Sequence, residues 1–483
     1  YHDNHKDNPI AQALYNDFDA ISDNMPPEGY VAEAHADIYA YAKAVEKAGS
    51  TETPAVVAAL KGLEWQTATG TSVSQSVPIG ARRVAVVDVG AHPQMASAEF
   101  ATRVHADVDL TTARTMTWQG GAQAYGSHSE HGVSAPGTVW HFAEGATTMF
   151  DLFYLLQNTS TDTAAAVRID YFVQGQGLVT RHYTVPAGQR QTVWVNQEPG
   201  LASAELGATV TSTNAVPIVV ERAMYTRGPQ LFPAGTAVAG EPALAPRWFF
   251  AEGATGSYFD TFIAVANPDD TPLDVTVRVY LPDGETSAAP LTFTRTARPR
   301  ERLTLWLDQE VTDEGVSLAN QGGLSVELTA SRPFVAERAT WWPGGFTTWH
   351  EGHASSGFPD PPAAHWRVAG GEVQLAPPGV DAPTDTYLLV SNVGTVDEQV
   401  NLTVYFTDLE PYTVTVPVPA GSRFTTSLAA VLRGVVSPGT RIDVGVRVDA
   451  VSPHATLYVE QAVYGTPEGG ARWARGASHR ASQ

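Results

Sequence analysis

Four short motifs recur along the chain in the same order, and this repetition constrains the fold more than any other feature. The first is a tryptophan before an acidic turn: Trp140-His-Phe-Ala-Glu-Gly145, Trp248-Phe-Phe-Ala-Glu-Gly253 and, altered, Trp366-Arg-Val-Ala-Gly-Gly371. The second is an apolar run bounded by Asp and Asn: Asp151 to Asn158, Asp260 to Asn267 and Asp385 to Asn392. The third opens a run with Arg: Arg190, Arg302 and, more loosely, Arg423. The fourth closes each unit: Val220-Glu-Arg-Ala-Met-Tyr225, Ala336-Glu-Arg-Ala-Thr-Trp341 and Val459-Glu-Gln-Ala-Val-Tyr464. Each unit is roughly 110 residues long, and β-branched and aromatic residues alternate with polar ones between Gly, Pro, Asn and Asp breaks.

That pattern predicts about seven short strands per unit. In the first unit they fall near 140–144, 151–158, 165–173, 179–185, 191–196, 206–212 and 217–225. Seven short strands with turns between them read as an antiparallel, immunoglobulin-like β-sandwich. The alternation puts Val193 and Val195 on one face and Trp194 on the other. Pro-rich stretches at 229–246 and 358–363 read as linkers or module-closing loops.

The last two motifs also precede the first complete unit. Arg82 to Asp88 matches Arg190 to Asn196, and Ala113-Arg-Thr-Met-Thr117 matches Glu221 to Tyr225, both 108 residues apart. The expected organisation is therefore a segment 1–70, half a repeat at 71–135, and repeats at 136–243, 244–360 and 361–483. The third repeat is divergent: Gly370 replaces the motif Glu, Gln461 replaces the motif Arg, and 373–384 is an insertion.

The basic residues divide at the same place. All four lysines (Lys6, Lys43, Lys47, Lys61) lie in the first 61 residues, and every arginine lies between Arg82 and Arg480. The early segment has helical spacing: Ile10, Leu14, Phe18 and Ile21, then Tyr30, Ala34, Ile38, Tyr41 and Val45. Gly49 is a stop signal, and Thr53-Pro54 restarts a helix through about Leu63, so a three-helix segment is expected over residues 8–66. The stretch from Ala40 to Leu63, with its Ala-Gly-Ser-Thr turn and Ala-Leu-Lys-Gly end, resembles the C-terminal lobe of type 1 periplasmic binding proteins. That resemblance implies a fragment of a substrate-binding subunit for an amino-acid, amide or urea ABC transporter.

The repeats resemble an uncharacterised family found in secreted and cell-surface bacterial proteins. The resemblance rests on the Ala-Glu-Gly-Ala-Thr turn, the Asp-aromatic strand ending in Asn, and the closing Val-Glu-Arg-Ala-Met-Tyr. It implies an exported, multi-module β protein and no known reaction.

Composition narrows the function classes. Lys+Arg 29 against Asp+Glu 51 gives a net charge of −22, which disfavours nucleic acid as a partner. The chain has no cysteine, which removes thiolate metal sites, disulfides and cysteine nucleophiles. No apolar run reaches the length of a transmembrane helix.

Three groups of residues are site candidates. The Glu-Arg pairs Glu221/Arg222 and Glu337/Arg338 sit next to each other on a strand and point to opposite faces, which suits structural ties rather than a joint grip on substrate. Asp151, Asp260, Asp385, Arg190 and Arg302 are framework positions and potential partners for those ties. Trp140, Trp248 and Trp366 recur at one position and read as core or interface. His128-Ser-Glu-His131 and His350-Glu-Gly-His353 are the metal candidates, but they read as exposed inter-module loops rather than helical zinc motifs. Trp341, Trp342 and Trp349 form a candidate exposed aromatic patch for a sugar.

No catalytic residue, cofactor or metal is assigned. The expected function is a non-enzymatic extracellular or cell-surface scaffold, acting as spacer or adhesion surface toward other surface proteins or glycans. The alternatives are an amino-acid or amide binding subunit and a carbohydrate-binding array.

Overall fold

The computed structural model describes residues 63–67, 72–95, 98–120, 123–227, 234–282, 290–343, 349–377, 380–466 and 475–482. The expected helical segment over residues 8–62 lies outside the described residues. Its last residues, 63–66, belong instead to a strand, Leu63–Thr67, which pairs antiparallel with Ser72–Gln75. That stretch, Leu-Glu-Trp-Gln-Thr, alternates apolar and polar residues, so the two-residue period wins over the helical one.

Two compact units are present. The first comprises residues 1–66, 72–78 and 102–110, and the second holds nearly all of the remainder. Leu63–Thr67 is the middle strand of a three-stranded sheet completed by Ser72–Gln75 and Phe100–Val104.

The protein is mainly β, with curled antiparallel sheets. In the first repeat the strands are Val139–Phe142, Phe150–Asn158, Ala165–Val173, Gly177–Val185, Arg190–Trp194, Leu206–Ser212 and Ile218–Thr226. They fall where alternation places them. An eighth strand, Gly235–Ala239, pairs with the closing strand Ile218–Thr226. It lies inside the stretch expected to be a linker and is buried along its whole length. Two four-stranded sheets result, and both contribute to one apolar cluster containing Trp140, Tyr154, Leu156, Ile169, Leu206 and Val220. Val193 and Val195 are buried and Trp194 is exposed, as their alternation requires.

The second repeat differs at one joint. A single strand, Ser325–Trp342, pairs early with Ala245–Phe250 and Leu273–Tyr280, and late with Asp260–Ala266 and Glu351–Ser356. The third repeat forms a sheet from Tyr412–Val418 through Leu457–Gly465 to Arg475–Arg480.

The recurring framework residues make the same contacts in each sequence repeat. Each recurring Trp is buried, and its indole N–H donates to a carbonyl near the closing strand: Trp140 to Ile218, Trp248 to Phe334 and Trp366 to Leu457, at 2.9–3.0 Å. Each recurring Asn turns its side-chain amide onto loop carbonyls. Asn158 reaches Thr163, Val185 and Pro186, and Asn267 reaches Thr271, Ala297 and Arg298. Buried carbonyls need such donors, so these positions tolerate little else.

Within the second unit, the strand following each closing strand packs on its counterpart in the next repeat. Gln123–His131 meets Gly235–Ala239, which meets Glu351–Ser356, which meets Arg475–Arg480, which returns to Gln123–His131. The four outer strands therefore form a closed cycle.

Candidate functional site

The charged residues of the repeat motifs converge at the junctions between consecutive repeats. A closing strand sends its Glu to one face and its Arg to the other. Glu221 accordingly points back to Arg114 of the preceding hairpin, with Arg114 Nη1 2.9 Å from Glu221 Oε2. Arg222 points forward. Its Nη2 donates to Glu337 Oε2 of the second repeat at 2.8 Å, and its Nη1 lies 3.0 Å from Glu144 Oε2 of its own acidic turn. Ala143 N–H donates to the other oxygen of Glu337 at 2.8 Å.

The next junction repeats the arrangement. Arg338 Nη2 is 2.7 Å from Glu252 Oε2, and Nη1 is 2.7 Å from Glu460 Oε2 of the third repeat. Glu460 also accepts from Glu252 N–H and from Ser355 Oγ. Tyr464 donates its hydroxyl to Glu252 Oε1 at 3.0 Å. A second arginine strengthens each junction. Arg302 Nη1 donates to Gly145 O, and Arg423 Nη1 donates to Gly253 O, both at 2.6 Å. Each thus reaches from one repeat into the acidic turn of the repeat before it.

The two Arg-centred triads are fully buried, and burial shapes their charges. Burial pushes Glu337 up to about 7, with Arg222 opposing and Glu144 adding to the rise. Glu460 is raised for the same reason, burial first, against Arg338. Burial works against the Arg222 cation, but Glu337 and Glu144 outweigh it and hold its pKa above the ordinary value. Burial lowers Arg423 to about 10. Two carboxylates on one guanidinium leave a surplus negative charge, which is why the carboxyl side yields.

The expected partners of the Glu-Arg pairs were residues such as Arg190 and Asp151; each closing Arg instead meets the acidic-turn Glu of its own repeat and the closing Glu of the next. Asp151 pairs with Arg227, Asp260 accepts from Trp349 Nε1, and Asp385 caps Ser427 and Ala429. Arg190 reaches Glu99 and the Phe100 carbonyl.

Of the four candidate histidines, His350 lies in an exposed loop as expected, and the other three lie in strands. His128 and His353 are buried in outer strands, each with its Nε2 near a tyrosine hydroxyl of the following repeat: Tyr225 at 3.2 Å and Tyr464 at 3.1 Å. Burial, with Arg114 adding, lowers His128 to about 3. His131 instead sits against Glu130, and His350 is exposed. Residues three apart on a strand face opposite ways, so neither pair converges on one point. Among the described residues no group of three or more His, Asp or Glu could hold a metal ion.

The aromatic patch is also relocated. Trp341 and Trp342 are 2% and 1% exposed, and Trp349 is half-buried against Trp341 at 5.6 Å. The reason lies in the next strand. Gly352 lies opposite Trp341, and a Cβ there would come within 2.2 Å of its ring. The ring covers a bare backbone, which leaves no face for a sugar.

Two depressions lie elsewhere among the described residues. One of about 380 Å³ is lined by Thr255, Tyr258, Phe259 and Asn320, and one of about 120 Å³ by Asp381, Asp385, Ser427 and Arg433. Neither lies at a triad.

Sequence reasoning missed the inter-repeat geometry, the outer strands and the glycine beneath Trp341. One signal did point to the triads: the third repeat loses its turn Glu and its closing Arg together, at Gly370 and Gln461. Residues that pair with each other are lost together.

No family model and no curated protein matches the chain. The solved structure of Thermotoga maritima 1070 is similar at 16% identity over 24% of this chain and 93% of its own, with a TM-score of 0.20. A tetra-tandem repeat in the extending region of a large adhesion protein is similar at 14% identity over 87% of this chain and 91% of its own, with a TM-score of 0.10. At TM-scores this low neither match defines the fold.

Proposed function

We propose that this is a non-catalytic, exported or cell-surface protein, built of tandem immunoglobulin-like β-sandwich modules, that serves as a spacer, adhesion or interaction scaffold. The observation that carries the reading is the use made of the recurring charges. Glu144, Arg222 and Glu337, and again Glu252, Arg338 and Glu460, are buried against one another between repeats. Groups consumed in this way hold repeats together and face no substrate. A rigid array presenting an acidic exterior suits display of a surface toward other surface proteins or glycans.

The glycan alternative loses the tryptophans that motivated it, since Trp341 and Trp342 are core residues. The amino-acid or amide alternative rests on residues outside those described.

Protease shaving of intact cells of the source bacterium tests the proposal. Peptides from residues 136–483 should be released into the medium without lysis. Peptides recovered only after permeabilisation would overturn the exported assignment.

A further inference from the structure

The cycle of outer strands has four junctions, and among the described residues three carry a charge tie at the repeat-motif positions. Strand register fixes which residues are equivalent. Arg114, Arg222, Arg338 and Gln461 lie opposite Glu130, Val238, Ser355 and His479. One residue earlier, Ala113, Glu221, Glu337 and Glu460 lie opposite His131, Ala239, Ser356 and Arg480. Gln461 therefore occupies the Arg position of the third repeat, and Ala113 the Glu position of the hairpin Ala113–His131.

The fourth junction uses the same elements as the others. The opening strand Val139–Phe142 packs on Ser325–Trp342, Ala245–Phe250 packs on Leu457–Gly465, and His365–Gln374 packs on Ala113–Gly120. Yet all three tie positions there are uncharged: Gly370 for the turn Glu, Gln461 for the Arg, and Ala113 for the incoming Glu. Gln461 is buried, and its amide donates to Ala369 O at 3.2 Å. Among the described residues, what crosses the junction is neutral or peripheral. Ser127 Oγ donates to Gly476 O at 3.2 Å, Val84 N–H donates to Phe406 O at 3.1 Å, and the Arg83–Glu410 pair is exposed on its acidic side.

We infer that the receiving face of the third repeat is a docking surface selective for an uncharged closing strand, which the hairpin Ala113–His131 supplies, and that Gln461, Gly370 and Ala113 set this selectivity. A repeat with Glu at the incoming position would place a carboxylate beside Gln461 and Gly370, with no arginine at the tie position to meet it. Burying an unpaired charge is strongly unfavourable, so such a repeat is rejected whether it comes from this chain or from a second copy. Head-to-tail contacts between similar surfaces extend into filaments unless the rotation closes. The neutral junction closes the cycle on the chain's own hairpin instead. The inference stands apart from the proposed location and role of the protein.

The test uses the full chain, which has no native cysteine to interfere with labelling. Spin labels on Ser134→Cys and Thr413→Cys, both exposed, report the separation of the hairpin and the third repeat. Ala113→Glu and Gln461→Arg should each shift the closed population toward open by roughly tenfold or more. The double variant should restore the wild-type distance, because the two new charges meet each other. Ala113→Gln, similar in size and uncharged, should stay closed. The inference is overturned if either charged single variant matches the wild type, if the double is no better than the worse single, or if Ala113→Gln opens the junction as far as Ala113→Glu. Hydrogen-exchange protection in Ile218–Thr226 should be unchanged throughout. Its loss in the single variants without return in the double would equally overturn the inference.

Discussion

The junction between the first and second repeats should strengthen as pH falls, and Glu337 should be the cause. Its carboxyl is raised from an ordinary 4.5 to about 7 by burial, with Glu144 adding and Arg222 opposing. The folded state therefore binds this proton more tightly than the unfolded chain does. The stability it contributes is fully present below 4.5 and is lost as pH rises through about 7. The full span corresponds to roughly 3 kcal/mol, most of which falls between pH 5 and pH 8. Glu337→Gln keeps one acceptor oxygen, for Ala143 N–H, places an NH2 where Oε2 meets Arg222, much as the protonated carboxyl places an O–H there, and leaves Arg222 paired with Glu144 alone. The variant should thus show little loss at pH 8 and a flatter profile between pH 5 and 8. Urea unfolding of the full chain at several pH values, followed by tryptophan fluorescence, measures the slope. Trp341, packed 5.0 Å from Phe150 at the same junction, is a suitable reporter. Infrared difference spectra between pH 5 and 8 should show a protonated-carboxyl band in the wild type that weakens in Glu337→Gln. The reasoning fails if the variant keeps the wild-type pH slope.

Arg222→Met removes the cation and leaves Glu144 and Glu337 buried together, at a cost of about 3–5 kcal/mol in urea unfolding at pH 8. Gln461→Met, at the equivalent uncharged position, should cost far less, and equal losses would refute the role assigned to the triad. Gly352→Ala drives a methyl to 2.2 Å from the Trp341 ring and should destabilise by about 1–3 kcal/mol. Gly137→Ala, whose nearest neighbour is Trp140 at 3.4 Å, should be tolerated, and a reversed order would count against the packing described. His128, lowered to about 3 by burial and then Arg114, should show flat ring-carbon NMR shifts from pH 5 to 8. A midpoint near 6.5 would mean that its site is wetter than described.

Much of the first repeat was legible because its strands alternate cleanly. The run Asp151 to Leu156 buries every second residue, and its sequence period gives strand and face together. Gly235-Thr-Ala-Val-Ala239 was not legible as a strand. It is buried on both faces, so it has no alternation, and its small residues look like a linker. The opposed faces of Glu221 and Arg222 followed from strand geometry alone. Their partners did not, since Arg222 and Glu337 stand 115 residues apart and periodicity carries no information on such pairings. The histidine pairs misled for a related reason. Gly-flanked spacing suggested loops, whereas His353 lies in the strand Glu351–Ser356, which is held between neighbouring outer strands.

The buried charges are better understood as selectors than as sources of stability. A buried ion pair replaced by apolar residues of like volume is often no less stable, so adhesion alone does not require Arg222 or Arg338. Apolar clusters already run through and between the repeats, and each repeat has its own Trp anchor. Those anchors are alike in every repeat and cannot distinguish one neighbour from another. The tie positions can, because they differ in kind around the cycle. Arg114 meets one carboxylate, Arg222 and Arg338 each meet two, and Gln461 stands where no cation remains. Moving the third repeat from the end of the order would set a closing Glu of another repeat against Gln461, without its arginine. Four identical charged junctions would tolerate any order of repeats, and the neutral one removes that equivalence.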